Sequence, residues 1–292
     1  MNANAVLLQL DHLIEGVVVK RPSTFIKTPY VADIQLDPDI CENTVLGHSA
    51  SLGCCGLSDA GAHVLISPIT PNSKSKKDKD DKLHCAYRVY LSVLREKDQE
   101  IIVGIYPKLA EELAVAALKK NMLRRLQDVK KYKREATMYV EGLVNSRFDV
   151  AGIDCNGTPF LMEIKNVPLA DYEDVEAKER KKMCFEGRDI HSKVAYFPDG
   201  YRKKRTDPVS PRALKHINEL ALIKKRSKTR CIMCYVIQRT DVNRFQPSVL
   251  DPAYRQAFME AVEAGVEIIT LVVQWTRDGT ATFIRDDLCY LV

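Results

Sequence analysis

Residues 147–153 read Arg147-Phe148-Asp149-Val150-Ala151-Gly152-Ile153. Asp154-Cys155-Asn156-Gly157-Thr158 follows, then Pro159-Phe160-Leu161-Met162-Glu163-Ile164-Lys165. Two apolar runs flank a turn-forming centre, so the stretch reads as a hairpin. Residues two apart on a strand share a face. Arg147 and Asp149 therefore share one face, as do Glu163 and Lys165, with Phe148 and Ile164 pointing the other way. The turn decides whether the charged faces coincide. A two-residue Asn156-Gly157 turn sets Asp149 opposite Ile164, and the acids face apart. A three-residue Cys155-Asn156-Gly157 loop sets Asp149 opposite Glu163 and Arg147 opposite Lys165. That loop is a type I turn plus a left-handed residue, and it wants glycine third. Gly157 is third, although the residues alone leave the shorter turn open.

Two facing carboxylates repel unless something neutralises them. Hard oxygen ligands at that spacing suit Mg2+ or Mn2+. Such an ion polarises a phosphate and activates water, and Lys165 is placed to orient that water or to stabilise developing charge. The plainer reading is a hairpin laced by Arg147–Glu163 and Asp149–Lys165 ion pairs. Glu-x-Lys alone does not separate the two.

Beyond the hairpin, Lys193–Phe197, Cys231–Gln238 and Val266–Trp275 read as strands, the last two buried. Ser210–Lys225 and Pro252–Ala264 read as helices, the second ended by Gly265. This half is α/β in character. Upstream, Lys108–Lys133 reads as one long helix with acids in its first turn and basic residues in its last. Before it, Ile14–Lys20, Tyr30–Leu36, Val64–Ser67 and Tyr87–Arg95 are short strands between turns, the pattern of a small barrel such as an OB-fold. Residues 71–82 (PNSKSKKDKDDK) have nothing to bury and read as a solvated loop.

The net charge is +5. Residues 1–100 carry 11 Lys and Arg against 13 Asp and Glu, and the rest carry 33 against 26, so a phosphate backbone would be drawn to the later part. The nine cysteines have no regular spacing, no secretory signal opens the chain, and no stretch is long and apolar enough to span a membrane. These features point to an intracellular protein, cytoplasmic or nuclear and not secreted, with free thiols. Cys231 and Cys234, three apart on a strand, point to opposite faces and read as core.

The candidate nucleic-acid contacts are Arg202, Lys203, Lys204 and Arg205 in a basic turn, Lys20 and Arg21 at a barrel loop, and His216 on a helix. The plain alternatives are a solvated loop, a charged strand end and a packed histidine.

Four blocks in order resemble the sugar fermentation stimulation protein family. They are Ser146-Arg147-Phe148-Asp149, Met162-Glu163-Ile164-Lys165-Asn166-Val167, Tyr196-Phe197-Pro198-Asp199 and Lys215-His216-Ile217-Asn218-Glu219-Leu220. The resemblance implies an α+β chain of two domains. An OB-fold-like nucleic-acid-binding barrel would occupy residues 12–99. A restriction-endonuclease-like α/β domain, with a PD-(D/E)xK nuclease-like site, would occupy residues 100–292. It implies DNA binding and a role in regulating sugar use. On this reading Asp149, Glu163, Lys165 and Arg147 are catalytic. Asp149, Glu163 and Glu112 hold Mg2+ or Mn2+, and the protein binds nucleic acid, DNA above all, with a homodimer left open. The alternative is a catalytically inactive DNA-binding regulator. The chain departs from the family in several places, among them Tyr106-Pro107 in place of an Asn-Thr stretch, an insertion at 171–192 and a longer basic turn at 201–211. Leu46–Gly53 replaces a Cys-Pro-Asn-Thr-Gly block. The family's helix acid falls on Ala116, with Glu111 or Glu112 left to substitute.

Overall fold

The structure, a computed structural model, describes residues 4–41, 43–49, 56–69, 85–198, 200 and 207–291. In chain order come β1 (Val6–Gln9), β2 (Ile14–Lys20), β3 (Val31–Leu36), β4 (Val45–His48), β5 (His63–Pro68), β6 (Tyr87–Glu96) and β7 (Gln99–Gly104). Then follow α1 (Pro107–Lys119), β8 (Lys131–Val140), β9 (Val144–Ile153), β10 (Pro159–Val167), β11 (Ala170–Asp171), α2 (Ala177–Arg180) and β12 (Lys193–Phe197). The chain ends with α3 (Pro211–Arg226), β13 (Arg230–Ile237), β14 (Val242–Pro247), α4 (Pro252–Glu263), β15 (Glu267–Trp275) and β16 (Thr280–Arg285).

Strands β2 to β7 form one sheet in the order β4-β3-β2-β5-β6-β7, and β4 also pairs in parallel with β6. That extra pairing closes β2 to β6 into a ring. Val18, Ile34, Ile66 and Val89 fill it, and none is more than 1% exposed. A closed ring removes the open edges that would otherwise invite other strands. Gly47 lies where the ring closes, and a β-carbon there would sit 2.3 Å from the Ile34 Cδ1 atom.

A second sheet has the order β1-β16-β15-β13-β10-β9-β8. Its centre, β10-β13-β15, is parallel. Strand β13 is buried from Cys231 to Ile237, as a central parallel strand covered on both faces should be. Helix α1 packs over Met162, Ile164 and Cys234 on one face. Helices α3 and α4 pack over Leu161, Met233 and Tyr235 on the other. Cys231 and Cys234 indeed lie in different core clusters, and every cysteine among the described residues is a free thiol. A small sheet, β11-β12-β14, completes the fold. The chain is thus α+β, with a β-rich ring near the N-terminus and an α/β region after it. Among the described residues, no helix is long and apolar enough to cross a membrane.

Two expectations need correction. The single helix over Lys108–Lys133 is instead α1, a loop and the edge strand β8. Asn121 takes a left-handed backbone (φ +53°), and its side chain closes the loop onto Asp128 at 2.7 Å. Met122, Leu123 and Leu126 are buried in that loop, so the apolar spacing persisted after the helix had ended. The basic residues assigned to a helix end lie on β8, where Lys131, Lys133 and Arg134 are exposed. Charge on an edge strand discourages pairing with another chain. The second correction is Phe148. It packs edge-on to His216 at 6.0 Å between ring centroids, on the α3 side, whereas Ile164 packs on the α1 side.

A candidate carboxylate site between β9 and β10

The hairpin register settles the turn. Pro159 pairs with Ile153 and Met162 with Val150, as the three-residue loop requires. Gly157 is left-handed (φ +85°) and donates its N–H to the Asp154 carbonyl at 3.1 Å. The ladder between the two strands stops at Met162–Val150. Where it stops, the Ile164 N–H donates to Asp149 Oδ2 at 2.6 Å. The Asp149 carboxylate therefore reaches across to β10 and lies beside Glu163.

Glu163 is 2% exposed. Its Oε1 accepts from Lys165 Nζ at 2.5 Å and contacts His216 Nδ1 on α3. Its Oε2 is buried with no hydrogen-bond partner among the described residues. Burial alone would push this carboxyl up, but His216 and Lys165 hold it below the usual carboxylate range. Asp149 goes the other way. Burial and the neighbouring Glu163 charge raise it to about 7, against the Ile164 N–H and Lys165. One carboxylate of the pair is thus ionised while the other titrates near neutrality, the division of roles that acid–base chemistry uses.

The other candidates are placed as follows. Arg147 points to Glu135 on β8 at 3.5 Å and is largely exposed, so it steadies neither acid. Glu112 is half-buried on α1. Its neighbour Glu111 is the helix acid whose charge acts on Asp149, and Glu111 also pairs with Arg134 at 3.2 Å. His216 is buried against Glu163 and is not a surface phosphate contact. Arg21 is held by the Pro29 carbonyl at 2.8 Å, by Ser58 Oγ and by Asp59, so it braces its own turn. Lys20 is exposed at the end of β2. Arg202, Lys203, Lys204 and Arg205 lie outside the described residues, as does the charged stretch 71–82.

Sequence reasoning missed the part Glu219 plays. It is 8% exposed, its Oε1 accepts the Asn145 N–H at 3.1 Å, and its Oε2 has no hydrogen-bond partner among the described residues. The His216-to-Glu219 spacing on α3 was its one visible signal. Among the described residues, no group of three or more His, Cys, Asp or Glu is gathered closely enough to hold a metal ion.

The fold and site define a class: an α+β protein with a closed β-ring and a mixed sheet whose hairpin sets a half-buried and a buried carboxylate beside a lysine. Residues 108–279 match the family described as "Sugar fermentation stimulation protein RE domain", which is more than half the chain. The chain belongs to the sugar fermentation stimulation protein family. It is 31% identical over 225 residues to a sugar fermentation stimulation protein homolog of Jannaschia sp., covering 77% of this chain and 76% of the relative. A homolog from Desulforamulus reducens is 29% identical over 272 residues, covering 92% and 90%. The solved structure of Pyrococcus furiosus SfsA in complex with Ca2+ superposes with a TM-score of 0.71 at 19% identity, covering 99% of this chain and 100% of that one.

Proposed function

We propose that this protein binds nucleic acid and hydrolyses its phosphodiester bonds at Asp149, Glu163 and Lys165 with a divalent cation. The observation that carries the reading is the Glu163 carboxylate, with one buried oxygen unpartnered among the described residues beside an Asp149 carboxyl lifted to about 7. Two such acids side by side are better satisfied by a cation than by each other. Asp149 and Glu163 would hold Mg2+ or Mn2+, with Glu111, whose charge acts on Asp149, offered as the helix acid beside the Glu112 expected from the sequence. The Ca2+ bound by the Pyrococcus furiosus protein agrees with hard oxygen ligands in a protein of this fold. When bound, the ion supplies Lewis-acid polarisation of a phosphate and a more acidic water.

The chain's own groups do the rest. His216 fixes the orientation of Glu163 from α3. Lys165 Nζ, mostly buried, donates toward the developing negative charge or orients the attacking water. The β2–β6 ring is OB-fold-like in its closure, and such rings carry single strands along their outer face.

Lys165→Ala is expected to lower cleavage by on the order of 10³-fold while leaving nucleic-acid affinity within a few-fold of wild type. The assay uses single- and double-stranded DNA and RNA with Mn2+, Mg2+ or chelator. Equal loss of binding and cleavage would overturn the catalytic role.

A second reading is favoured by a specific feature. Both Lys165 and His216 already occupy Glu163 Oε1, and no third acid closes the site among the described residues. That arrangement suits a DNA-binding regulator with a degenerate nuclease fold. It predicts salt-sensitive binding and no metal-dependent turnover.

A further inference from the structure

The β-ring closes where β4 meets β6. His48 and Arg88 are direct neighbours there in the parallel register, so their side chains leave the same side of the sheet on adjacent strands. Both carry an unsatisfied nitrogen. His48 Nδ1 and Arg88 Nε are buried and have no hydrogen-bond partner among the described residues, and the Ser49 hydroxyl at the end of β4 is likewise buried and unpartnered. The Arg88 guanidinium lies 5.0 Å from the centre of the Tyr106 ring. Arg244 Nε is likewise buried and unpartnered among the described residues, whereas three other arginines are held by acids. Arg230 is held by Asp154 and Glu267, Arg124 by Asp286, and Arg277 by Glu15 and Glu100.

Buried donors left unpaired are costly, and a cation with no counter-charge more so. Three further features fit an anion. Tyr106 is the N-cap of α1, yet it provides no side-chain cap, and no acid stands in the first turn. The positive end of a 13-residue helix dipole is therefore beside Arg88. Burial and the Arg88 charge hold the His48 imidazole below its ordinary range, as expected of a histidine with no anion beside it.

We infer that the β4–β6 seam is a phosphate-binding subsite in which Arg88 and His48 grip the anion and Tyr106 positions the guanidinium. Only the identity of the ligand rests on the nucleic-acid reading above; the anion chemistry stands without it. Glu111, whose charge acts on Asp149, lies five residues beyond Tyr106 on α1. At roughly 1.5 Å per residue the backbone of Tyr106 is about 7.5 Å along the helix axis from that of Glu111.

The test uses the full chain in chelator, with a short fluorescein-labelled single-stranded DNA read by anisotropy and inorganic phosphate as competitor. Arg88→Gln keeps the side-chain stem and removes the charge. It is expected to weaken DNA binding about 10-fold, and to make the log–log salt dependence shallower by about 0.7, the share of one single-strand phosphate. Its melting temperature should match wild type. If wild type ignores DNA but binds phosphate in calorimetry, and Arg88→Gln does not, the subsite stands with a free phosphate as its ligand and the nucleic-acid reading falls. Equal affinities of wild type and Arg88→Gln for DNA and for phosphate would overturn the inference, as would binding of neither by wild type.

Discussion

Asp149→Asn is expected to gain stability above pH 7 and to lose metal-dependent cleavage by on the order of 10³-fold. Both effects come from one carboxyl. Burial and Glu163 raise Asp149 from the ordinary 3.8 to about 7 in the folded chain. Between those values the folded state binds more protons than the unfolded state, so wild-type stability falls as pH rises from about 4 to about 7. Asparagine does not titrate, and its Oδ1 can still accept the Ile164 N–H. The variant should therefore be flatter with pH and more stable at pH 8 by about 2 kcal/mol, after solvent screening of a half-buried group. Urea unfolding at pH 5 and pH 8 measures it. Equal pH slopes in the two proteins would refute the raised carboxyl. Adding Mn2+ should stabilise wild type and leave Asp149→Asn unchanged, because a ligand that binds only the folded site shifts stability by mass action. On the proposed nuclease reading the site trades stability for chemistry, a common cost of function.

Asp241→Ala should destabilise the protein by about 3–5 kcal/mol, the usual effect of stripping a buried pair of one partner. Asp241 is fully buried. It accepts two bonds from Arg239, at 2.7 and 2.6 Å, and one from Lys193 Nζ at 2.9 Å. Lys193 also donates to Glu96 on β6 at 2.6 Å, and Glu96 accepts the Tyr172 hydroxyl at 2.6 Å. The network therefore ties the β-ring to β12 and to the chain entering β14. Removing Asp241 leaves the buried Arg239 without its anion and Lys193 with Glu96 alone. Burial would raise its carboxyl, but Arg239 and Lys193 hold it down at about 2. Its contribution is complete above pH 4 and is lost as pH falls toward 2. Chemical denaturation at pH 7 checks the first statement and an acid titration of the melting temperature the second. A loss below about 1 kcal/mol at pH 7 would show that the network relaxes onto water.

Much of the α/β region was legible in the chain. Ser210 before Pro211 and Asp251 before Pro252 are helix starts, and both side chains accept a first-turn N–H. Gly157 suited the three-residue loop that the register bears out, although the residues alone left the shorter Asn156-Gly157 turn open. Other features misled. The loop after α1 kept helical apolar spacing, since Met122, Leu123 and Leu126 fill the same core as the helix. The strand β1 was invisible because four residues carry no usable period, and its partner β16 is more than 270 residues away.

For this protein, local pattern determined which residues form the central hairpin, where the two long late helices begin, and that Glu163 and Lys165 share a strand face. Those are matters of short-range sterics and turn chemistry, which neighbouring residues settle. The tertiary structure alone decided that the Glu111 charge acts on Asp149, that Arg147 turns to Glu135, that His216 is buried against Glu163, and that His48 and Arg88 meet at the closure of the ring. Each of those depends on how elements distant in sequence come together. The field and burial at a side chain come from its neighbours in space, and the chain carries no local record of them.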